Sequence, residues 1–452
     1  MSLPDYFFAD LPSEATLTET MVQEACLTMK RNRQQYLAAL PTGNLVKVLV
    51  SLGESWLRPD FVFRKLALEQ GPAAGFSGSV LARGVDAFFG ELTSRNFESL
   101  LEQDLGREER LDELVFSEAE HRGRRSSVAT APEFLVQVST GREPSGILRQ
   151  MVLGLLVRSA QFIRCAPEAL LLPRLFAHSL YEAEPKLGAC LELAAWEGQA
   201  ERLEASLLEA ADCLVVEGGE ELQRGLRQRL SAKVRMVAYG ERVSFAFVSS
   251  RALHSSEAAA VVANAAADVT AWDQLGSLAP HVIYVEDGGA MRPELFAEAL
   301  AAELARREQF EPRGKVPAAA ASAIAARRAI YEVRAAHSPE TRHWCSPGST
   351  AWTVVYEADA RFQLSCQHRF VYVKGVRNLE EALQSADGVR ERVSTVGLAA
   401  GADKAKPLAL ALARWGAERV CPLGQMQQPP LGWRRQGRPA LSDLLRWTDF
   451  ES

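Results

Sequence analysis

The sequence predicts an α/β protein of more than one domain, built on parallel sheets covered on both faces by helices. Three observations carry this. The chain has 452 residues, more than a single hydrophobic core usually serves, and it is 47% hydrophobic and 24% charged, an ordinary globular composition. From residue 134 onward, short apolar runs of strand length alternate with helical stripes. Strands separated in this way by helices pair in parallel and need cover on both faces.

Residues 1 to about 130 read as mostly helical. Leu37, Leu40, Leu45 and Val46 lead into Val48, Leu49 and Leu52, and Ala87-Phe88-Phe89 precedes Leu92, all at helical intervals. The largely polar stretch 118–130 breaks this spacing and reads as a loop. A strand over 134–138 ends at Ser139-Thr140-Gly141. An apolar helix over 147–157 and a strand over 161–165 follow. The helix 170–180 has Pro167 near its start, where a missing N–H costs least. After the apolar run 189–195, a buried strand over 212–216 meets Gly218-Gly219 and the helix 220–230. Strands over 234–238 and 243–248 close this part.

A second α/β stretch begins with an Ala-rich helix over 258–269. Residues 273–280 form a loop that opens onto a strand at 281–285. Pro293 starts the helix 294–307, with Leu295, Phe296, Leu300 and Leu304 assigned to one stripe. A helix over 318–336, strands over 352–356 and 370–373, and helices over 381–386 and 404–415 complete the set. The stretch 441–447 is a candidate last strand.

Charge and composition exclude several function classes. The net charge is −6, from 51 basic and 57 acidic residues, without the basic excess of a nucleic-acid binder; the short run Arg122–Arg125 is broken by Gly123. Seven scattered cysteines form no C-x-x-C pair, so neither a zinc site nor a disulfide framework is expected. The start, Met-Ser-Leu-Pro-Asp-Tyr, lacks the charged and apolar regions of a secretory leader. No uncharged apolar run approaches the roughly 18 residues of a membrane span. The expectation is a reduced, cytoplasmic protein without a membrane span.

Pattern alone names no chemistry. Gly218-Gly219, between a strand and a helix, is either a phosphate cradle or a tight connection, and Glu217 and Glu220 would repel a phosphate. No G-x-S-x-G elbow occurs. Ser277 lies in Leu-Gly-Ser-Leu-Ala-Pro with His281 four residues on, a histidine that the strand would hold away from the hydroxyl. Cys345 and Cys366 read as structural thiols.

The run from Arg414 to Asp449, RWGAERVCPLGQMQQPPLGWRRQGRPALSDLLRWTD, resembles the tail of LuxC-type long-chain acyl-CoA reductases of the aldehyde-dehydrogenase superfamily. LGLLVRSAQF at 153–162, LPRLFAHSL at 172–180 and STVGLA at 394–399 agree, and the resemblance covers essentially the whole chain. It implies an aldehyde-dehydrogenase-like α/β fold, with a Rossmann-type cofactor domain, an α/β catalytic domain and a small oligomerisation element. The corresponding boundaries are 1–250, 251–425 and 426–452. The implied reaction is NADPH-dependent reduction of a fatty acyl thioester to the aldehyde. In the family a cysteine thiolate accepts the acyl group, an asparagine and a backbone N–H stabilise the oxyanion, and hydride then arrives from the nicotinamide.

Carried over by position, the resemblance places Ser277 at the nucleophile and Arg142, in Gly141-Arg142-Glu143-Pro144, at the oxyanion asparagine. Ala279 stands where the family has a serine. Arg164 replaces the lysine that helps hold the ribose or its phosphate. Gly218, Gly219 and Gly240 fall at cofactor turns, and Glu241 stands where the family has a histidine. A thiol has a pKa of roughly 8.5 and ionises readily, whereas a serine hydroxyl needs an adjacent base. Losing one oxyanion donor costs roughly a hundred- to a thousand-fold in rate. The expectation is a family member with impaired reduction or, alternatively, an inactive homologue serving as scaffold or partner subunit. The implied partners are fatty acyl-CoA or an acyl-protein synthetase, in a homo-oligomer or a complex with an active paralogue.

Overall fold

A computed structural model describes residues 3–12, 14–196, 200–254 and 257–451, and the chain divides into two compact units. Among those residues, the first unit runs to Gln70, continues over Val85–Glu241 and resumes from Pro430. The second comprises Gly71–Gly84 and Arg242–Pro429.

The first unit opens with helices Glu19–Asn32 and Thr42–Leu57. Thr18 caps the first by accepting a hydrogen bond from the Met21 N–H, and Leu45, Leu49, Leu52 and Trp56 form the buried stripe of the second. The strands are β1 (Arg125–Thr130), β2 (Phe134–Ser139), β3 (Ala160–Cys165), β4 (Leu191–Ala194), β5 (Cys213–Glu217) and β6 (Arg235–Tyr239). Five of them make a parallel sheet in the order β4-β3-β2-β5-β6. Both β2 and β3 are buried along their whole length, as near-continuous apolar runs require. On one face Val22, Cys26 and Met29 pack with Phe134, Val136, Phe162 and Leu214. Chain direction across the sheet reverses between β2 and β5, which puts a crevice at their carboxyl ends.

Part of the 153–162 block ties the helical N-terminal region to this sheet. Arg158, at a left-handed φ of 62°, donates to the carbonyls of Leu40 and Leu111 (both 2.7 Å) and to Thr42 Oγ1 (2.9 Å), and pairs with Asp112.

The second unit holds β7 (Val243–Val248), β8 (Pro280–Glu286), β9 (Thr341–Cys345), β10 (Thr353–Glu357), β11 (Phe370–Val376), β12 (Val393–Ala399) and β13 (Arg419–Pro422). Their order is β13-β12-β7-β8-β11-β10-β9, parallel except for β9 at the edge. Helices Ala258–Thr270 and Pro293–Phe310 belong to one apolar layer, with Val285, Phe296 and Leu300. Helices Ala318–His337 and Ala402–Trp415 belong to the other, with Phe245, Tyr284, Tyr372 and Leu412. Leu295 departs from its expected stripe: it is 46% exposed, while Phe296, Leu300 and Leu304 are buried.

Two local expectations are corrected. Residues 118–130 are no loop: Glu118–Arg122 is a short helix and β1 follows it. The strand escaped notice because only Ser127 and Ala129 are buried in it and its partner lies at the far end of the sequence. That partner is β14 (Arg446–Glu451), antiparallel to β1 in a two-stranded sheet of the first unit. The expected strand at 441–447 thus begins later, after a 3₁₀ turn over Ser442–Leu444.

Candidate functional site

Ser277 lies in the second unit, half-buried in the loop that precedes β8, at the amino-terminal edge of the parallel sheet. Its carbonyl accepts from Ser244 Oγ (2.8 Å), and that hydroxyl in turn accepts from the Thr395 N–H (3.1 Å). Among the described residues of this unit, no carboxylate, imidazole or amine hydrogen-bonds the Ser277 hydroxyl. His281 is committed elsewhere. Its Nδ1 accepts from the Ser365 N–H (3.1 Å) and lies 2.9 Å from Ser365 Oγ. Burial pushes His281 down to about 4, so the ring is neutral at pH 7. An Nδ1 that accepts a backbone N–H carries no proton, so the Ser365 hydroxyl donates to it. Ser277 therefore lacks a thiol's acidity and, among the described residues of its own unit, a hydrogen-bonded base.

The backbone just before this loop is strained. Trp272, Asp273 and Gln274 have φ of 48°, 51° and 65°, and Gln367, His368 and Arg369, just before β11, have 57°, 52° and 65°. Left-handed non-glycine residues cost of order 1–3 kcal/mol each and persist only where their surroundings dictate them. Here the two turns hold each other. Arg369 Nε donates to Asp273 Oδ1 (2.8 Å), and Nη2 lies 2.7 Å from the same oxygen. Arg369 is 0% exposed and Asp273 1%. Asp273 Oδ2 accepts from the Gly314 N–H (2.9 Å), while Arg369 Nη1 reaches Glu308 Oε2 (2.9 Å) and the Glu311 carbonyl (2.8 Å). Gln274 Nε2 donates to the carbonyls of Pro280 and Phe370 (both 2.8 Å), and its buried Oε1 has no hydrogen-bond partner. Burial raises the Asp273 carboxyl above the usual range, against the pull of Arg369 and the Gly314 N–H.

Two glycines permit the approach of this turn to residues 71–84. A Cβ on Gly84 would overlap the Trp272 ring, and one on Gly314 would overlap the Gly75 carbonyl. Phe76 meets Trp272 edge-on, with ring centroids 5.5 Å apart.

The first unit holds the other sequence-predicted residues, all at the carboxyl edge of its sheet. Arg142 is exposed on the loop after β2. Arg164, near the end of β3, is 8% exposed; its Nη2 donates to the Trp196 carbonyl (3.3 Å) and its Nε has no partner. Gly218 follows β5, and its N–H is used by the Tyr239 carbonyl (3.1 Å). Gly219 is the N-cap of helix Glu220–Arg229, with Glu220 and Glu221 in the first turn. A Cβ on Gly219 would stand 3.2 Å from Glu241 Oε1. Gly240 is bracketed by one side chain of the C-terminal segment: its N–H donates to Gln436 Oε1 (3.3 Å) and its carbonyl accepts from Gln436 Nε2 (2.9 Å).

The same segment reaches the crevice between β2 and β5. Arg435 pairs with Glu217, and its guanidinium lies 4.6 Å from the Tyr239 ring centroid. Burial raises the neighbouring Glu143 carboxyl above its ordinary range, and Glu217 adds to the effect. Arg149 anchors the segment, donating to the carbonyls of Pro430 (2.9 Å), Leu431 and Trp433 (3.1 Å).

Arg142, Arg164, Gly218, Gly219 and Gly240 thus share one sheet edge, while Ser277 belongs to the other unit. Sequence reasoning missed Arg369, Glu308, Gly84, Gly314, Arg435 and Gln436. An Arg-rich stretch over 434–438 beside an acidic turn was the available hint for Arg435; nothing local marks Arg369. Burial raises the thiol of the half-buried Cys366 above its ordinary value.

Comparison with protein families matches residues 37–447 to the acyl-CoA reductase (LuxC) family. No curated protein sequence matches. Among solved structures, the chain is similar to a putative aldehyde dehydrogenase PutA from Anabaena variabilis, at TM-score 0.70 and 14% identity over 96% of this chain and 93% of that one. An aldehyde dehydrogenase from Brucella melitensis biovar abortus 2308 gives 0.69 and 15% over 96% and 90%. A proline utilization A structure gives 0.71 and 16%; 96% of this chain is covered there, but it spans only 45% of that one. At such identities the likeness establishes the fold, that of the aldehyde dehydrogenases.

This fold and the family match imply a nicotinamide cofactor. The residues at the helix N-terminus do not fit its pyrophosphate. Glu241 overhangs Gly219, Glu220 and Glu221 fill the first helical turn, and Gln436 occupies both polar groups of Gly240. A helix N-terminus attracts phosphate through its free N–H groups and dipole, and clustered carboxylates oppose that attraction. Arg164, with its orphaned Nε, suits an anion or a ribose.

Proposed function

The chain belongs to the acyl-CoA reductase (LuxC) family, and from that membership we propose that it retains the family's acyl-handling fold while the family reaction, NADPH-dependent reduction of a fatty acyl thioester to the aldehyde, is impaired. The observation that carries this reading is the Ser277 hydroxyl, without a hydrogen-bonded base among the described residues of its own unit. To accept an acyl group, Ser277 Oγ would bond to the thioester carbonyl carbon, the C–S bond would break, and its proton would leave to a base. A thiol, with a pKa of roughly 8.5, supplies some thiolate near neutral pH without a base, whereas a serine hydroxyl does not.

Arg142 stands in for the family's oxyanion asparagine, and its exposed guanidinium is a longer and less fixed donor. Loss of both fixed features predicts acylation slower by several orders of magnitude. The test is NADPH consumption with long-chain acyl-CoA by the full chain and by Ser277→Cys. Turnover by the unchanged chain at rates ordinary for enzymes, roughly 1–1000 per second, would overturn the reading.

A second reading is a scaffold or partner subunit in an acyl-reducing complex, beside an active paralogue or an acyl-protein synthetase. It is favoured by the acidic surround of Gly219 and by the C-terminal segment's hold on Gly240. Stable co-purification with such a partner supports it. A chain that stays alone at cellular concentration counts against it.

A further inference from the structure

We infer that Arg369 and Asp273 are positioning residues for the Ser277 loop: their buried ion pair locks two facing left-handed turns and so sets where the residue at 277 stands. The inference rests on the proposed role of Ser277 as the acyl-accepting position. Three independent observations converge on it.

Six non-glycine residues in two separate segments adopt left-handed conformations; residues 367–369 directly precede β11, and 272–274 open the loop that leads into β8. Pairing at that sheet edge is also made by side chains: Gln274 Nε2 bridges the Pro280 and Phe370 carbonyls, at the first residues of β8 and β11. The ion pair at the centre is almost wholly buried, yet each member keeps further partners. Asp273 accepts from Gly314, and Arg369 donates to Glu308 and to the Glu311 carbonyl. A buried pair of this kind is a poor source of stability compared with apolar packing of the same volume, but it specifies one geometry. Only two residues, Leu275 and Gly276, separate the strained turn from Ser277. Arginine suits the task better than lysine, since its planar fork engages Asp273, Glu308 and a carbonyl at once.

Both residues act through the loop rather than by contact with a reacting atom. The test therefore reads loop geometry rather than turnover. A cysteine introduced by Ser277→Cys reports through its rate of alkylation by iodoacetamide across pH, alone and combined with Asp273→Asn or Arg369→Met. Amide hydrogen exchange is followed in parallel in the same full-length proteins. The expected result is at least a tenfold change in alkylation rate with either second substitution, and at least tenfold faster exchange over 275–279. Exchange in the cores of β8 and β11 should stay unchanged. Asp273→Asn keeps the side-chain shape, so it remains informative if Arg369→Met does not fold. An unchanged alkylation rate, or exchange that rises equally across the whole sheet, would overturn the inference.

Acyl-CoA supplies the separating arm. If Ser277→Cys is never acylated while alkylation and exchange respond as expected, the positioning role stands and the acyl-accepting role of residue 277 falls.

Discussion

The ring of Trp272 fills the space where any side chain at Gly84 would have to stand, so the helix carrying Gly84 can approach the turn before Ser277 only with glycine there. Gly84→Ala would force the ring or the helix to shift. Overpacking of this kind costs typically about 1–3 kcal/mol. The expected outcome is a lower thermal midpoint for Gly84→Ala. Gly225→Ala, in a helix with nothing within 4 Å of the added carbon, should leave the midpoint unchanged or raise it slightly. Equal behaviour of the two variants would show that the contact with Trp272 carries no strain.

Arg149 gives a second expectation. Its guanidinium donates to three carbonyls of the 430–433 stretch, so Arg149→Met would leave that stretch without its anchor. Hydrogen bonds to a charged group are worth about 1.5–3 kcal/mol. The denaturation midpoint should fall accordingly, and amide exchange over 430–436 should accelerate before that of β2 or β3. Unaltered exchange in the segment would mean that other contacts hold it.

His281 sets a pH window. Its folded value is depressed to about 4 by burial, below an unfolded value near 6.5. The fold therefore binds fewer protons than the unfolded chain between those values. Stability from this group is fully present above about pH 6.5 and is lost as pH falls through about 4, with a slope of up to about 1.4 kcal/mol per pH unit. His281→Gln should flatten this part of a plot of thermal midpoint against pH. A variant whose acid limb matches the parent's would place the sensitivity in other groups.

Glu241 governs the fourth expectation. With its carboxylate removed from above Gly219, dinucleotide affinity should rise. Glu241→Gln is expected to bind NADPH about tenfold more tightly, or about 1.4 kcal/mol, in a fluorescence titration at constant salt. Equal or weaker binding would mean that the acidic surround does not limit the site.

The alternation of strands and helices was legible because β2, β3, β5 and β8 are buried apolar runs bounded by Gly, Pro or polar residues. Such runs announce themselves through local composition. The strand β1 did not, since it is largely solvent-facing and is completed by residues more than 300 positions away. The turns at 272–274 and 367–369 were equally hidden. Trp-Asp-Gln and Gln-His-Arg contain no glycine, so their left-handed backbone is dictated by tertiary contacts and not by propensity. At the candidate site, Ser277 and Arg142 could be placed by resemblance to a family pattern. The Asp273–Arg369 pair joins loops 96 residues apart in sequence, and no local pattern connects them.

The pairing of β1 with β14 bears on how the chain is made. Thr130 leaves the ribosome 316 residues ahead of Arg446, a wait of about 15–60 s at about 5–20 residues per second. Throughout that interval β1 has no β14 to pair with, while every residue of the second unit is synthesised before β14. The inserted unit is thus free to fold first, and its host must wait for β14. A nascent chain halted at Pro429 should accordingly show a protease-resistant second unit beside an incomplete first one, and the bare edge of β1 is where a chaperone would be needed most.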